Sequence, residues 1–283
     1  MKGKMNLLNN PTICISVARK PGRFGITVHN AGYRALGLNF MYKTFAIDDI
    51  RGAITGVRSL GIRGCSVSMP FKEKVIPFLD RLDPIAKKIG AVNTVVNDNG
   101  RLIGYNTDII AVEKALKPLR IKNDKDIIIF GAGGVSRAIL TALKNLKLKN
   151  ITLTNRTTRK GERLAKQFNI NFIQWSKREN IMADVLINAT SIGMTPDTFS
   201  TPVSKNNIKN SQIVMDIVAS PPKTKLIKIA NKHGKITVDG LKLSLYQSFT
   251  QFKLYTGRNP PIQVMEKAAR TIYGVKWCVN KYD

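Results

Sequence analysis

The chain has 283 residues, 43% of them hydrophobic, which is enough to bury one large core or two ordinary ones and too apolar for a disordered chain. It contains no run of about 18 apolar residues that would span a bilayer, and its start, Met1-Lys-Gly-Lys-Met-Asn-Leu-Leu-Asn-Asn10, lacks the apolar stretch and cleavage site of a secretory signal, so a cytosolic protein with no membrane partner is expected. The net charge of +28 would attract anions, but Lys and Arg are dispersed along the chain without interleaved aromatics, which argues for a solvated basic surface and against a nucleic-acid partner.

Apolar runs alternate with segments of helical spacing, the βαβα pattern of parallel sheets covered by helices. Strands are predicted at 13–17, 41–47, 64–68, 126–130, 150–154, 184–189 and 213–218. Between them, 28–38, 49–60, 135–146, 158–168 and 225–233 are predicted helices. Residues 107–119 form a loop and helix before the apolar run Ile127-Ile-Ile-Phe130, so two halves are expected. The end of the chain, 241–255 and 261–273, reads as helical with no further strand. Three cysteines, Cys14, Cys65 and Cys278, show no CxxC spacing, and the only histidines are His29 and His233. Neither a disulfide framework nor a metal site is expected.

The segment Gly131-Ala-Gly-Gly-Val-Ser-Arg-Ala138 falls where a buried strand turns into a helix. Gly131 and Gly133 would let a pyrophosphate approach the backbone and the positive helix end. Ser136 stands in place of the last glycine of G-x-G-x-x-G, so a turn serving only strand–helix packing is the competing reading. The next strand ends in Asn155-Arg-Thr-Thr-Arg-Lys160. An NAD site presents an acid to the ribose there; this chain has none. Arg156, Arg159 and Lys160 offer charge-assisted bonds to a 2′-phosphate instead, so NADP(H) is the expected cofactor.

Lys72, in Val67-Ser-Met-Pro-Phe-Lys72, and Asp108, in Gly104-Tyr-Asn-Thr-Asp108, precede this loop. A ketone gains negative charge on oxygen as it is reduced and needs a proton, and the reverse reaction needs a base. An ammonium can donate that proton, and desolvation makes a lysine a base. Asp108 would orient Lys72 and share the reacting hydroxyl. Ser66, Ser68, Asn93 and Asn106 offer small hydroxyl and amide groups suited to a hydroxylated ring. Alternation also puts Ser66 and Ser68 on one face of a strand, where they would be ordinary strand-end residues.

With these residues in view, the chain resembles the shikimate dehydrogenase family over nearly its whole length. The matching segments are His29-Asn30-Ala31 with Ala35-Leu-Gly-Leu38, Val67-Ser-Met-Pro-Phe-Lys72, Gly90-Ala-Val-Asn-Thr94, Asn106-Thr-Asp108, Gly131-Ala-Gly-Gly134, Asn155-Arg-Thr157, Asn188-Ala-Thr-Ser-Ile-Gly-Met194, and Asp239-Gly240 through Gln247. The resemblance implies a two-domain α/β fold: an N-terminal substrate domain at 1–107, a Rossmann-type NADP-binding domain at 108–240, and C-terminal helices at 241–283 packing back on the first, with the active site in the cleft between domains. It implies Lys72 and Asp108 as the catalytic pair and Ser68, Asn93 and Gln247 as substrate contacts, with Ser66 and Arg23 as further candidates. Implied cofactor contacts are Gly131, Ala132, Gly133, Gly134, Val135, Asn155, Arg156, Thr157, Thr158, Arg159, Lys160, Ile217 and Gly240.

The departures gather at the substrate end. Counting back from His29-Asn30, the family's Ser-x-Ser pair, whose hydroxyls hold the shikimate carboxylate, falls on Arg23-Phe24-Gly25. The family's asparagine before Val-Thr is Ser66, its threonine is Ser68, its tyrosine after the Asp-x-Val strand is Ala219, and its second glycine near the nicotinamide is Lys242. Arg23 would either bind a carboxylate bidentately or face solvent and leave that subsite empty. The expected activity is hydride transfer between NADP(H) and shikimate or a related cyclic hydroxy acid, in aromatic amino acid biosynthesis, with altered or weak activity on shikimate. A quinate dehydrogenase and an NADP(H)-binding sensor with little turnover are the alternatives. A monomer or homodimer is expected.

Overall fold

The computed structural model describes residues 10–273, and Cys278 lies outside them. The chain divides into two compact units, one of residues 10–107 with 248–273, the other of residues 108–247.

The first unit begins β1 (Thr12–Ala18), α1 (Phe24–Ala35), β2 (Phe40–Ala46), α2 (Ile50–Ser59) and β3 (Gly64–Val67), and continues through β4 (Arg81–Leu82), α3 (Pro84–Ile89), β5 (Thr94–Asp98) and β6 (Arg101–Tyr105). Local chemistry sets several boundaries. The Asp49 carboxylate accepts from the N–H groups of Arg51 and Gly52, capping α2. Asp83 caps α3, Pro84 opens it, and Gly90 ends it at φ 70°. The sheet order is β2-β1-β3-β5-β6-β4. The strand order is parallel at β1, β2 and β3, but β5 pairs antiparallel with both β3 and β6, so this sheet is mixed where an all-parallel one was expected. The cause is a hairpin: Asn99 and Gly100, at φ 50° and 88°, turn the chain tightly enough for β6 to fold back on β5. A core of Ile15, Val17, Ile54, Val57, Val67, Phe71 and Val95 fills one side of the sheet.

The second unit holds α4 (Asp108–Leu116), β7 (Ile127–Phe130), α5 (Gly134–Asn145), β8 (Ile151–Asn155), α6 (Thr158–Phe168) and β9 (Asn171–Gln174). It continues with β10 (Val185–Asn188), α7 (Lys205–Asn210), β11 (Ile213–Asp216), α8 (Lys225–Lys232) and β12 (Ile236–Val238). All its strands are parallel, in the order β12-β11-β10-β7-β8-β9, which puts β7 at the centre with the chain winding outward to each side. This is the doubly wound dinucleotide-binding order, with its switch point between β7 and β10. β7, β10 and β11 are buried at every residue, as strands covered on both faces must be.

The remaining helices are α9 (Gly240–Thr256) and α10 (Ile262–Tyr273). The division between units falls inside α9, after Gln247. In the first unit, a Cβ on Gly32 of α1 would lie 2.7 Å from the Phe252 ring and 3.2 Å from Met265, so this glycine is what lets α1 meet α9 and α10 so closely. Among the described residues no helix is long and apolar enough to cross a membrane.

Candidate active site

In the second unit the glycine loop closes on itself. Gly131 takes φ +106°, and a Cβ there would lie 2.8 Å from the Ala189 carbonyl oxygen, so only glycine fits. Ser136 Oγ accepts the Gly133 N–H at 3.1 Å and donates to the Gly131 carbonyl at 2.8 Å. The serine that replaces the third glycine thus ties the loop together instead of breaking the motif. Asn155, at the end of β8, accepts the Ala132 N–H at 3.0 Å. Gly133 has nothing within 4 Å of its Cβ position, and Gly134 and Val135 open α5 with the unsatisfied N–H groups of a helix start. Arg156, Thr157, Thr158, Arg159 and Lys160 are all exposed, and the first turn of α6 contains no acid. These features fit a dinucleotide carrying a 2′-phosphate: open backbone donors, a helix dipole, and cations without a competing carboxylate.

Ile217 and Gly240 come together. A Cβ on Gly240 would lie 2.4 Å from the Val218 backbone and 2.6 Å from the Ile217 oxygen, so α9 can start against the end of β11 only with glycine there. Behind this contact Asp216 is fully buried. Burial pushes its carboxyl up to about 6 even though it accepts from Asn188 Nδ2, the Val218 N–H and the Thr224 hydroxyl. Asn188 in turn accepts from Thr190, so one buried carboxylate anchors the loops after β10 and β11.

In the first unit, Lys72 lies half-buried on a turn after β3, and its sequence neighbours Phe71 and Val75 are buried. The Lys72 carbonyl accepts the Val92 N–H at 2.7 Å, and the Asn93 carbonyl accepts the Val67 N–H at 2.8 Å. Lys72, the end of β3 and Asn93 are therefore one backbone-bonded group. Asn106 donates to the Ala91 carbonyl, and Thr107 donates its N–H to Asn93 Oδ1 at 2.8 Å. Asp108, the next residue, is the buried first residue of α4.

The predicted substrate residues separate in character. Ser68 is exposed, whereas the Ser66 hydroxyl accepts from Gln251 Nε2 at 3.1 Å. Gln247 is half-buried, and Gln251, one turn further along α9, is the glutamine bonded to the β3–β5 pair. Sequence reading passed over Gln251; its position four residues from Gln247, on the same helix face, was the available signal. Arg23 is exposed and precedes α1, with its carbonyl accepting from Thr27. Gly25 is the second residue of α1, and its Cβ position lies 3.1 Å from Tyr42 Cε1.

A doubly wound sheet whose glycine loop opens onto a helix start, with cations where an acid would contact an unphosphorylated ribose, defines a dinucleotide-binding unit, here joined to an α/β unit carrying a lysine and buried amides. Residues 24–95 match the shikimate dehydrogenase substrate binding domain, 113–243 the shikimate/quinate 5-dehydrogenase family, and 240–270 the shikimate 5′-dehydrogenase C-terminal domain. The chain belongs to the shikimate dehydrogenase family. It is 41% identical over 266 residues to a shikimate dehydrogenase-like protein of Haemophilus influenzae, covering 93% of this chain and 97% of that one. It is 37% identical over 275 residues to the NADP(+) shikimate dehydrogenase of Pyrococcus furiosus, with 93% and 97% covered. A solved shikimate dehydrogenase in complex with NADP+ superposes with a TM-score of 0.84 at 34% identity, covering 94% of this chain and 96% of that one.

Proposed function

We propose that the protein is an NADP-linked dehydrogenase that interconverts a ring hydroxyl and ketone on shikimate or a related cyclic hydroxy acid, with reduced or altered activity on shikimate itself. The observation that carries this reading is a family match over residues 24–95, which hold Lys72 and Asn93, and over 113–243, with Asp108 between the two segments, beside a glycine loop that tolerates no Cβ at Gly131. NADP(H), when bound, supplies or accepts the hydride. Lys72 holds the substrate oxygen and gives it a proton as the carbonyl is reduced, while Asp108 orients the lysine and the reacting hydroxyl. Gly131 to Val135 receive the pyrophosphate, and Arg156, Arg159 and Lys160 the 2′-phosphate. The altered substrate preference is supported by Arg23 and Gly25 standing where the family places two carboxylate-binding serines, and by Ser66, Ser68, Ala219 and Lys242.

The test is a screen of NADP+ and NAD+ reduction with shikimate, quinate and other cyclic hydroxy acids. Turnover of at least one such acid with NADP+ preferred, and with shikimate not the best substrate, is the expected result. Equal kcat/KM for NADP+ and NAD+ would contradict the cofactor assignment. Efficient shikimate oxidation would leave an ordinary shikimate dehydrogenase.

A further inference from the structure

The carboxamide of Asn93 is wholly buried, and its two ends are used very differently. Oδ1 accepts from the Thr107 N–H at 2.8 Å, the Thr107 hydroxyl at 3.1 Å and the Thr94 hydroxyl at 2.9 Å. Nδ2 has no partner among the described residues. A backbone N–H can only donate, so Oδ1 must be the end facing Thr107, and Nδ2 must face the other way. Leaving a buried amide donor unbonded is unfavourable, and the cost is removed when an oxygen acceptor arrives.

The direction of the Thr94 hydroxyl completes this arrangement. A threonine has one hydroxyl proton. Gln251 Nε2 donates to Thr94 Oγ1 at 2.9 Å, so that oxygen acts as acceptor toward α9 and sends its proton to Asn93. The second Nε2 proton goes to Ser66 Oγ at 3.1 Å. Gln251 is 3% exposed, in a site already shielded from water that would otherwise exchange with these bonds.

We propose that Gln251 is a positioning residue for catalysis: acting through Thr94, it fixes the orientation of Asn93 so that Nδ2 is presented as a hydrogen-bond donor to a hydroxyl or carbonyl oxygen of the substrate. This rests on the dehydrogenase reading above. It adds to that reading a residue on α9 that acts through Thr94 and reinforces the orientation of Asn93 that the Thr107 N–H selects. The same two protons fasten Ser66 and Thr94 to one amide, so neighbouring strands β3 and β5 present their polar groups in a fixed register.

Two variants of the full chain test it. Gln251→Glu keeps the shape and turns a donor into an acceptor, so the Thr94 proton is drawn to the carboxylate and Asn93 loses one of the bonds that orient it. At neutral pH kcat/KM for the best hydroxy acid is expected to fall by about tenfold or more, the equivalent of one hydrogen bond. KM for NADP+ should stay within about twofold of wild type. As pH is lowered and the introduced carboxyl takes up a proton, it can donate again, so the ratio of variant to wild-type kcat/KM should rise. Gln251→Met should show a similar loss without that pH-dependent recovery. Either variant, shown to be folded by its melting transition, that retains wild-type kcat/KM would overturn the proposal, as would a loss in Gln251→Glu with the same pH profile as Gln251→Met. A wild-type protein that oxidises no hydroxy acid would instead refute the dehydrogenase reading on which the proposal stands.

Discussion

Asn155 Oδ1 accepts the Ala132 N–H at 3.0 Å while Nδ2 of the same side chain donates to the Thr157 carbonyl at 2.9 Å. One carboxamide therefore joins the glycine loop after β7 to the basic segment after β8, the two pieces that would grip opposite ends of an adenosine phosphate. Asn155→Ala is expected to raise KM for NADP(H) by about tenfold with a smaller effect on kcat, and to cost about 1 kcal/mol of stability for the lost bonds. Steady-state kinetics with a melting curve checks both; unchanged KM would show that the loop holds its shape unaided.

Arg156 is proposed to carry the cofactor preference. A charge-assisted bond contributes about 1.5–3 kcal/mol, so Arg156→Ala is expected to lower the NADP+ over NAD+ ratio of kcat/KM by about tenfold or more while NAD+ kinetics stay near wild type. An unaltered ratio would move the assignment to Arg159 and Lys160.

The proposed change at the carboxylate end makes a two-sided expectation. A Cβ on Gly25 would press on Tyr42, which is 2% exposed and stacked on His29 with ring centroids 4.4 Å apart, so the ring has little room to yield. Arg23→Ser combined with Gly25→Ser is expected to raise kcat/KM for shikimate by about tenfold or more, and at the same time to lose about 1–3 kcal/mol of stability through overpacking. No gain in a folded variant that still binds NADP(H) would shift the cause to Ala219 or Lys242.

His29 gives a pH dependence with a definite sign. Burial holds its imidazole down at about 3, with the Gln251 side chain opposing the shift, against 6.5 for a free ring. Between those values the unfolded chain takes up a proton that the folded protein refuses. The contribution is therefore complete above pH 6.5 and is lost as pH falls toward 3, by about 1.4 kcal/mol per unit. Asp216, raised from 3.8 to about 6, acts in the opposite sense: between those values the folded state holds the extra proton, so its contribution to stability increases as pH falls. The two nearly cancel in wild type over that shared range. His29→Phe, which keeps the stack on Tyr42, removes one of them. The stability difference between variant and wild type should shift in favour of the variant as pH drops from 6.5, and denaturant melts at several pH values would detect it. A constant difference would contradict the burial of a neutral His29.

What was legible in the sequence was local. The glycine loop, the acid-free segment after Asn155 and the turn bearing Lys72 each declare themselves within a few residues, because helix starts, tight turns and ribose contacts are short-range chemistry. The strands flanking the Asn99-Gly100 turn were missed: each is only five residues long, and β5 is buried at four of its five positions, so it lacks the alternation that marks a strand. Gln251 was not readable from local pattern. Its partners Thr94 and Ser66 lie 157 and 185 residues away, and only the folded chain brings them together. Tyr42 and Gly25 make the same point: the ring that crowds the glycine's Cβ position is 17 residues away and only the folded chain brings it there.

The central claim is that Lys72 handles the proton of a hydride transfer, and the most direct test is single-turnover oxidation of the best hydroxy acid by Lys72→Ala with NADP+ bound. The account predicts a fall of about 10²–10⁴-fold in the chemical step, with NADPH affinity by fluorescence titration within about twofold of wild type. A folded variant that retains most of the wild-type rate would contradict it.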